Sequence, residues 1–357
     1  HLSRTLTIKN VDRTFYEEKL RGFLPPDFID IHTHVWLKKF AVEAQGAPLR
    51  TVTWPSLVAD ENSIEDLLDT YRLMFPGKTV TPLIFSQVSL DVDIDACNGY
   101  IQACSVKHGF PALLVTKPGQ SADELEERIK RGGFLGSKVY LNFAPPHISE
   151  KEICIYDFLP AHQLRLLDRL GLMVMLHIPR DGRLKDPVNL SQLLEIERDY
   201  PNIKLIVAHV GRAYCPQDVG NAFELLAETK NMVFDFAANT NTDVFRQLIK
   251  AVGPKRILFG SDLPILKMRT RRICENGSYV NLVPKGLYGD VSGDRHLREV
   301  EGPEADGLTF FMYEQIEAMR RAAAAEGLKQ SDICDIFRNN ALRIIDSAYG
   351  GKYFEQS

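Results

Sequence analysis

The chain of 357 residues has no apolar run approaching the roughly 18 residues that a membrane-spanning helix needs, so no span is expected. Its basic residues are not massed in one tract and the formal charge is −4, which gives no support to a nucleic-acid partner. The six cysteines (Cys97, Cys104, Cys154, Cys215, Cys274 and Cys334) contain no Cys-x-x-Cys pair. In a chain of this length they read as reduced, mostly structural thiols of a cytoplasmic protein. The segment His1-Leu2-Ser3-Arg4 lacks the apolar core of a signal peptide, and a start at His1 implies that the true beginning is missing or processed.

What is present is ordinary for a soluble globular protein: 45% hydrophobic and 25% charged residues, enough apolar material for a sizeable core. The length could hold two domains, but α/β barrels often run this long as one, and a single domain over 1–357 is expected. Residues 1–25 read as a polar lead-in with a short helix near 14–21. Apolar runs then alternate with amphipathic stretches. Strands are expected at 28–34, 79–85, 111–116, 135–141, 172–176, 203–208, 232–236 and 256–260. Helices are expected after Asn62 or Ser63 and over 93–106, from the capping box at Ser121, and over 159–170, 190–200, 219–228 and 244–252. Two more close the chain within 310–348.

Eight short strands alternating with helices imply parallel pairing through right-handed crossovers. Eight favours a closed (β/α)8 TIM barrel over an open doubly wound sheet. No glycine-rich phosphate loop follows the first strand, which removes the support for dinucleotide binding. The stretch 264–308, rich in glycine and charge, reads as a long insertion after strand eight that elaborates the active site. The loop 36–60 is long enough to cover a barrel mouth.

Chemistry gathers at the strand ends. Strand one closes on Asp30-Ile31-His32-Thr33-His34, and side chains two apart on a strand share one side. His177 follows strand five, His209 follows strand six and Asp262 follows strand eight. In a TIM barrel these C-terminal ends face one mouth. A single histidine beside an apolar run is usually a hydrogen-bonded core residue, but four with an aspartate at the same kind of position point to a metal. The other five serve as a control: His1, His108, His162 and His296 fall elsewhere, and only His147 lies near a strand exit.

The segments Asp30–His34, Leu176-His177, Ala208-His209-Val210-Gly211, Arg256–Pro264 and Asn339-Asn340-Ala341 together resemble the amidohydrolase superfamily, in its amidohydrolase-related branch of metal-dependent TIM-barrel hydrolases and decarboxylases. The resemblance implies that His32, His34, His177 and Asp262 hold one divalent metal, zinc first and manganese as the alternative. It implies that His209 polarises the substrate or a water and that Asp262 shuttles a proton. Chemistry agrees, since neutral imidazoles and a carboxylate suit zinc, and an open site lowers the pKa of water to about 7. Lys138, on strand four, is either a carboxylated bridge between two metals, as in other members, or else a cationic substrate contact or a buried ion-pair partner.

Arg180 and Arg212 each follow a strand-end histidine by three residues, and Arg269, Arg271 and Arg272 open the insertion. Guanidinium forks bind carboxylates and phosphates in bidentate fashion, so a small anionic substrate is expected. The alternative for the insertion cluster is a solvated loop. Trp36, Trp54 and Tyr140 are candidate walls for a ring. The expected activity is hydrolysis of an anionic amide, lactone or ester. Non-oxidative decarboxylation of an unsaturated or aromatic acid is the second reading. Uronate isomerisation and a non-catalytic metal-binding barrel follow. His32 keeps the histidine that some decarboxylases replace with glutamate, which favours hydrolysis. The terminal helices are candidates for a homo-oligomer interface.

Overall fold

The computed structural model of the chain describes residues 6–43, 46 and 50–349. The leader reading of residues 1–4 and part of the loop 36–60 lie outside the described residues. The architecture is an α/β barrel. Parallel strands β1 (Asp27–His34) and β2 (Thr79–Phe85) pair with each other. Strands β3 (Leu114–Val115), β4 (Gly136–Val139), β5 (Met173–Leu176), β6 (Lys204–Val207), β7 (Val233–Asp235) and β8 (Ile257–Leu258) pair in sequence order. Two isolated parallel bridges, Ile84 with Ala112 and Thr33 with Leu263, join the two sheets at both seams and complete the ring.

The eight expected strands are all present, though several are shorter than their apolar runs. At β8 the chain leaves the strand after Leu258 for the turn that carries Asp262. Ile29, Ile31, Leu83, Leu113, Leu135, Met173, Met175, Ile206 and Leu258 form the barrel's interior cluster, and Ala341 and Ile345 of the last helix pack on it. Each such side chain contributes about 1.5–3 kcal/mol on burial, which fixes the register. A second, larger cluster fills the layer between barrel and helices.

Local signals set the helices. Ser63, not Asn62, caps Ile64–Met74, accepting from Asp66 N while the Asp66 carboxylate returns to the Ser63 amide. Ser121 accepts from Glu124 N at 3.2 Å to start Ala122–Gly132. The insertion is ordered: β9 (Arg271–Glu275), β10 (Ser278–Pro284) and β11 (Leu297–Val300) make a three-stranded sheet. No helix among the described residues is long and apolar enough to cross a membrane. The expectation of six reduced thiols needs correction, because Cys215 and Cys274 form a disulfide. With a sequence separation of 59 and no motif around either, only the fold brings them together.

Candidate metal centre

His32 and His34 point to the same side of the β1 end, as their spacing requires, and their Nε2 atoms lie 3.3 and 3.2 Å from Asp262 Oδ1. Backbone bonds hold the seam that makes this approach: Asp262 N donates to His32 O at 2.7 Å and His34 N to Leu263 O at 2.9 Å. Gly260 is needed for the same reason, since a Cβ there would meet His32 Cβ at 2.8 Å. Asp262 itself sits in the left-handed region at φ 64°.

His209 arrives by a strained route. His209, Val210, Gly211 and Arg212 have φ of 59°, 51°, 61° and 59°, one left-handed turn of which three residues are not glycine. Such residues cost roughly 1–2 kcal/mol each, and they persist where surroundings over-determine them. Here His209 N donates to Asp235 Oδ1 at 2.9 Å, and Arg212 Nη1 donates to the carbonyls of Ile178, Pro179 and Arg180 at 3.1–3.4 Å.

The tautomers follow from the partners. A carbonyl or carboxylate oxygen can only accept, so each Nδ1 that faces one must carry the hydrogen. His32 Nδ1 donates to Asp235 Oδ2 at 2.9 Å, His34 Nδ1 to Ser86 O at 2.9 Å, His209 Nδ1 to Ala237 O at 2.7 Å and His177 Nδ1 to Ile178 O at 3.1 Å. In the neutral ring every Nε2 is then a bare lone pair. Burial lowers the pKa of His32 and His177 and brings His209 down to about 4, which keeps these rings neutral at physiological pH. Burial alone would raise Asp262, but His32, His209 and His34 around it bring it below the usual carboxylate range.

Lone pairs of His32 and His34 therefore face an anionic oxygen at 3.2–3.3 Å. Donor atoms so arranged repel one another unless a cation lies among them, and this is the fit test for a divalent metal. The residues pass it. His32, His34 and Asp262 offer ligand atoms within 4.8 Å of one another, and so do His32, His209 and Asp235. His177 stands one ring farther out, its ring centroid 5.3 Å from that of His209 and 4.9 Å from that of Tyr140. Nδ1 tied to an oxygen, with Nε2 directed inward, is the arrangement that orients metal-ligating imidazoles.

Lys138 reaches the same centre. It is 1% exposed, with Nζ 5.2 Å from the Phe85 ring and 5.8 Å from that of Tyr140. It makes no hydrogen bond or ion pair among the described residues. Burial brings its pKa down to about 8 against the opposing pull of Asp262 and Asp235.

The other predicted arginines divide. Arg212 lies by the mouth, close enough to act on His177 and Tyr140. Arg180 turns away: its Nε and Nη2 donate to the carbonyls of Ile153 and Glu152 at 3.1 and 3.0 Å. Arg269 is buried against Asp12, with Nη1 and Nη2 at 2.8 and 2.7 Å from the carboxylate, beside an outer cavity of about 300 Å³ rather than at the mouth. Arg271 is exposed and paired with Glu314 at 3.6 Å. Arg272 projects into an aromatic group near His209. Trp36 is buried with its indole N–H on Asp60 O, so it walls the β1 loop.

Two residues escaped the sequence reading. Asp235, fully buried at the end of β7, holds His32 through one oxygen and the His209 and Ala237 amides through the other. Its signal was a carboxylate inside the apolar run Val233-Phe234-Asp235-Phe236. Asp30 accepts from Ser261 N at 2.8 Å and Tyr71 Oη at 2.8 Å, and burial raises it to about 7.

The sequence model for amidohydrolases matches residues 29–346. An uncharacterised protein of Sinorhizobium fredii is 24% identical over 272 residues, 67% of this chain and 86% of its own length. Among solved structures, a protein of Acinetobacter baumannii assigned as a 2-pyrone-4,6-dicarboxylic acid hydrolase, with citric acid bound, superposes with a TM-score of 0.55 at 16% identity, covering 89% of this chain and 98% of that one. A dihydroxybenzoic acid decarboxylase of Polaromonas sp. JS666, with manganese and 2-nitroresorcinol bound, gives 0.51 at 16% identity, covering 90% and 97%. At these identities the likeness establishes the barrel fold and nothing finer.

Proposed function

The chain belongs to the amidohydrolase family of enzymes, and from that premise we propose that it hydrolyses a small amide, lactone or ester that bears a carboxylate. A divalent metal would be held by His32, His34, His177 and Asp262; when bound it supplies Lewis acidity and an acidified water near neutral pH. Three imidazoles and one carboxylate suit zinc, and manganese is the alternative.

The protein's own groups divide the remaining work. Asp262, whose carboxyl lies below the usual carboxylate range and is therefore anionic at neutral pH, takes the proton of the attacking water and returns it to the leaving group. His209 presents an Nε2 lone pair 4.0 Å from Asp262 Oδ2, beside the carboxylate that takes the water's proton. Polarising a substrate oxygen by hydrogen-bond donation, one form of the role the resemblance implies, requires that Nε2 first take up a proton. The observation that carries the substrate class is Lys138, a buried cation with no carboxylate at ion-pair distance among the described residues, Asp262 and Asp235 acting on it only from farther away. Leaving a charge so is costly unless a ligand completes the pair, and a substrate carboxylate would do so by a charge-assisted hydrogen bond.

A panel of carboxylate-bearing lactones, esters and amides, followed by acid release, tests this reading. Turnover should need the carboxylate and be lost with chelation. Release of carbon dioxide from aromatic acids, without hydrolysis of any panel member, would replace it with decarboxylation. That second reading draws support from the Phe85 and Tyr140 rings flanking Lys138, which would seat an aromatic acid.

A further inference from the structure

The Cys215–Cys274 disulfide joins two segments that each carry a residue toward the mouth. Cys215 follows Tyr214, whose ring centroid lies 6.3 Å from that of His209. Cys274 is on β9, two residues beyond Arg272. The Arg272 guanidinium lies 4.9 Å from the Tyr214 ring, 4.1 Å from Tyr279 and 4.6 Å from Phe311. Its Nε donates to Asn281 Oδ1 and its Nη1 to Ala238 O, both at 2.8 Å. These partners are neutral, and no carboxylate among the described residues pairs with it. Burial lowers its pKa, and Asp262 is among the charges that act on it, so it belongs to the same mouth.

The contrast with Arg183 isolates the point. Arg183 packs on the same two tyrosine rings at 5.3 Å but has its own carboxylate, Asp218, at 2.9 Å. Tyr214 thus lies between one neutralised guanidinium and one that is not. An ion desolvated by rings and held by neutral acceptors at a fixed angle is costly in isolation. It is suited to receive a carboxylate on its remaining Nη2 edge.

We propose that Arg272 is a specificity-determining residue that binds the substrate carboxylate, and that the Cys215–Cys274 disulfide positions it by fastening β9 to the Tyr214 segment. This rests on the anionic-substrate reading above. Without the disulfide, β9 and Tyr214 can separate, and the guanidinium loses its angle toward the centre while the barrel keeps its ligands.

The test uses calorimetric binding of benzoate and of benzamide, its neutral isostere, to the protein as purified with its metal content measured. Wild type should prefer benzoate by about ten-fold or more. Cys215→Ser with Cys274→Ser should weaken benzoate about five- to ten-fold and leave benzamide within about two-fold. Arg272→Met should do the same, and the triple variant should lose nothing further, since the disulfide acts through Arg272. If the serine variant fails to fold, wild type treated with dithiothreitol gives the same comparison. The reagent's two thiols pass two electrons and two protons to the S–S bond, leaving two cysteine thiols and the cyclic oxidised reagent. Unchanged benzoate affinity without the disulfide, additive losses, or six alkylatable thiols in the native protein would each overturn the proposal. Absence of any benzoate preference in wild type, read before any variant is made, would overturn the anionic-substrate reading and the proposal with it.

Discussion

Arg269 and Arg272 stand three residues apart on one segment, and the barrel treats them in opposite ways. Arg269 is buried beside the lead-in, both ends of its fork on Asp12, with Thr309 Oγ1 donating to the same carboxylate at 2.7 Å. Every charge there is answered from within the chain. Among the described residues, neither Arg272 nor Lys138 has a carboxylate at ion-pair distance. Ion pairs that close on themselves hold the fold together, whereas cations left open mark where a ligand belongs. On the proposal for Arg272, the same residue type near the same β-strand divides into scaffold and site by its counter-ion.

That contrast can be broken by mutation. The largest effect is expected at the closed pair: Asp12→Ala leaves Arg269 buried and unpaired and should cost about 3–5 kcal/mol in urea unfolding, with metal content unchanged. Loss of metal instead would mean that scaffold and site are not separable. Next, Gly260→Ala places a Cβ against His32 at the β1–β8 seam. It should cost about 1–3 kcal/mol and, unlike Asp12→Ala, lower metal occupancy by elemental analysis.

Lys138→Met sharpens the other side. Removing an unanswered buried cation should leave stability unchanged or raised, while carboxylate affinity falls about ten-fold, near 1.4 kcal/mol. The pH dependence has a definite sign. Lys138 is lowered from its ordinary 10.5 to about 8, so between those values the unfolded chain binds the extra proton and stability rises with pH. Benzoate affinity should fall through the same window in wild type and lose that step in Lys138→Met; a step that survives the substitution assigns it to another group. The smallest effect is at Ser121→Ala, which removes a helix cap for about 1 kcal/mol and should leave metal and anion binding untouched.

Much of this was legible in the chain. The period of apolar runs carried the eight strands, because barrel strands are buried on both faces. The His-x-His pair declared its geometry because strand alternation is rigid over two residues. Asp235 was harder, since an acidic residue inside a strand does not reveal which imidazole it will meet. Arg269 and Arg272 could not be told apart, because their fates depend on Asp12, some 260 residues away, and on rings from several separate segments. The left-handed turn at His209–Arg212 showed only as Gly211, and the disulfide gave no local sign. Nothing in the sequence near Arg180 announced that its guanidinium would close on the Glu152 and Ile153 carbonyls.

The central claim is that lone pairs of His32, His34 and neighbouring rings converge with Asp262 around a divalent cation. Elemental analysis of wild type and Asp262→Asn, purified without chelator and compared by circular dichroism, tests it most directly. About one equivalent of zinc or manganese is expected per wild-type chain, and little in a variant that keeps its fold. A wild-type protein that stays metal-free after dialysis against both ions, or an Asp262→Asn variant that binds metal as well as wild type does, would contradict it.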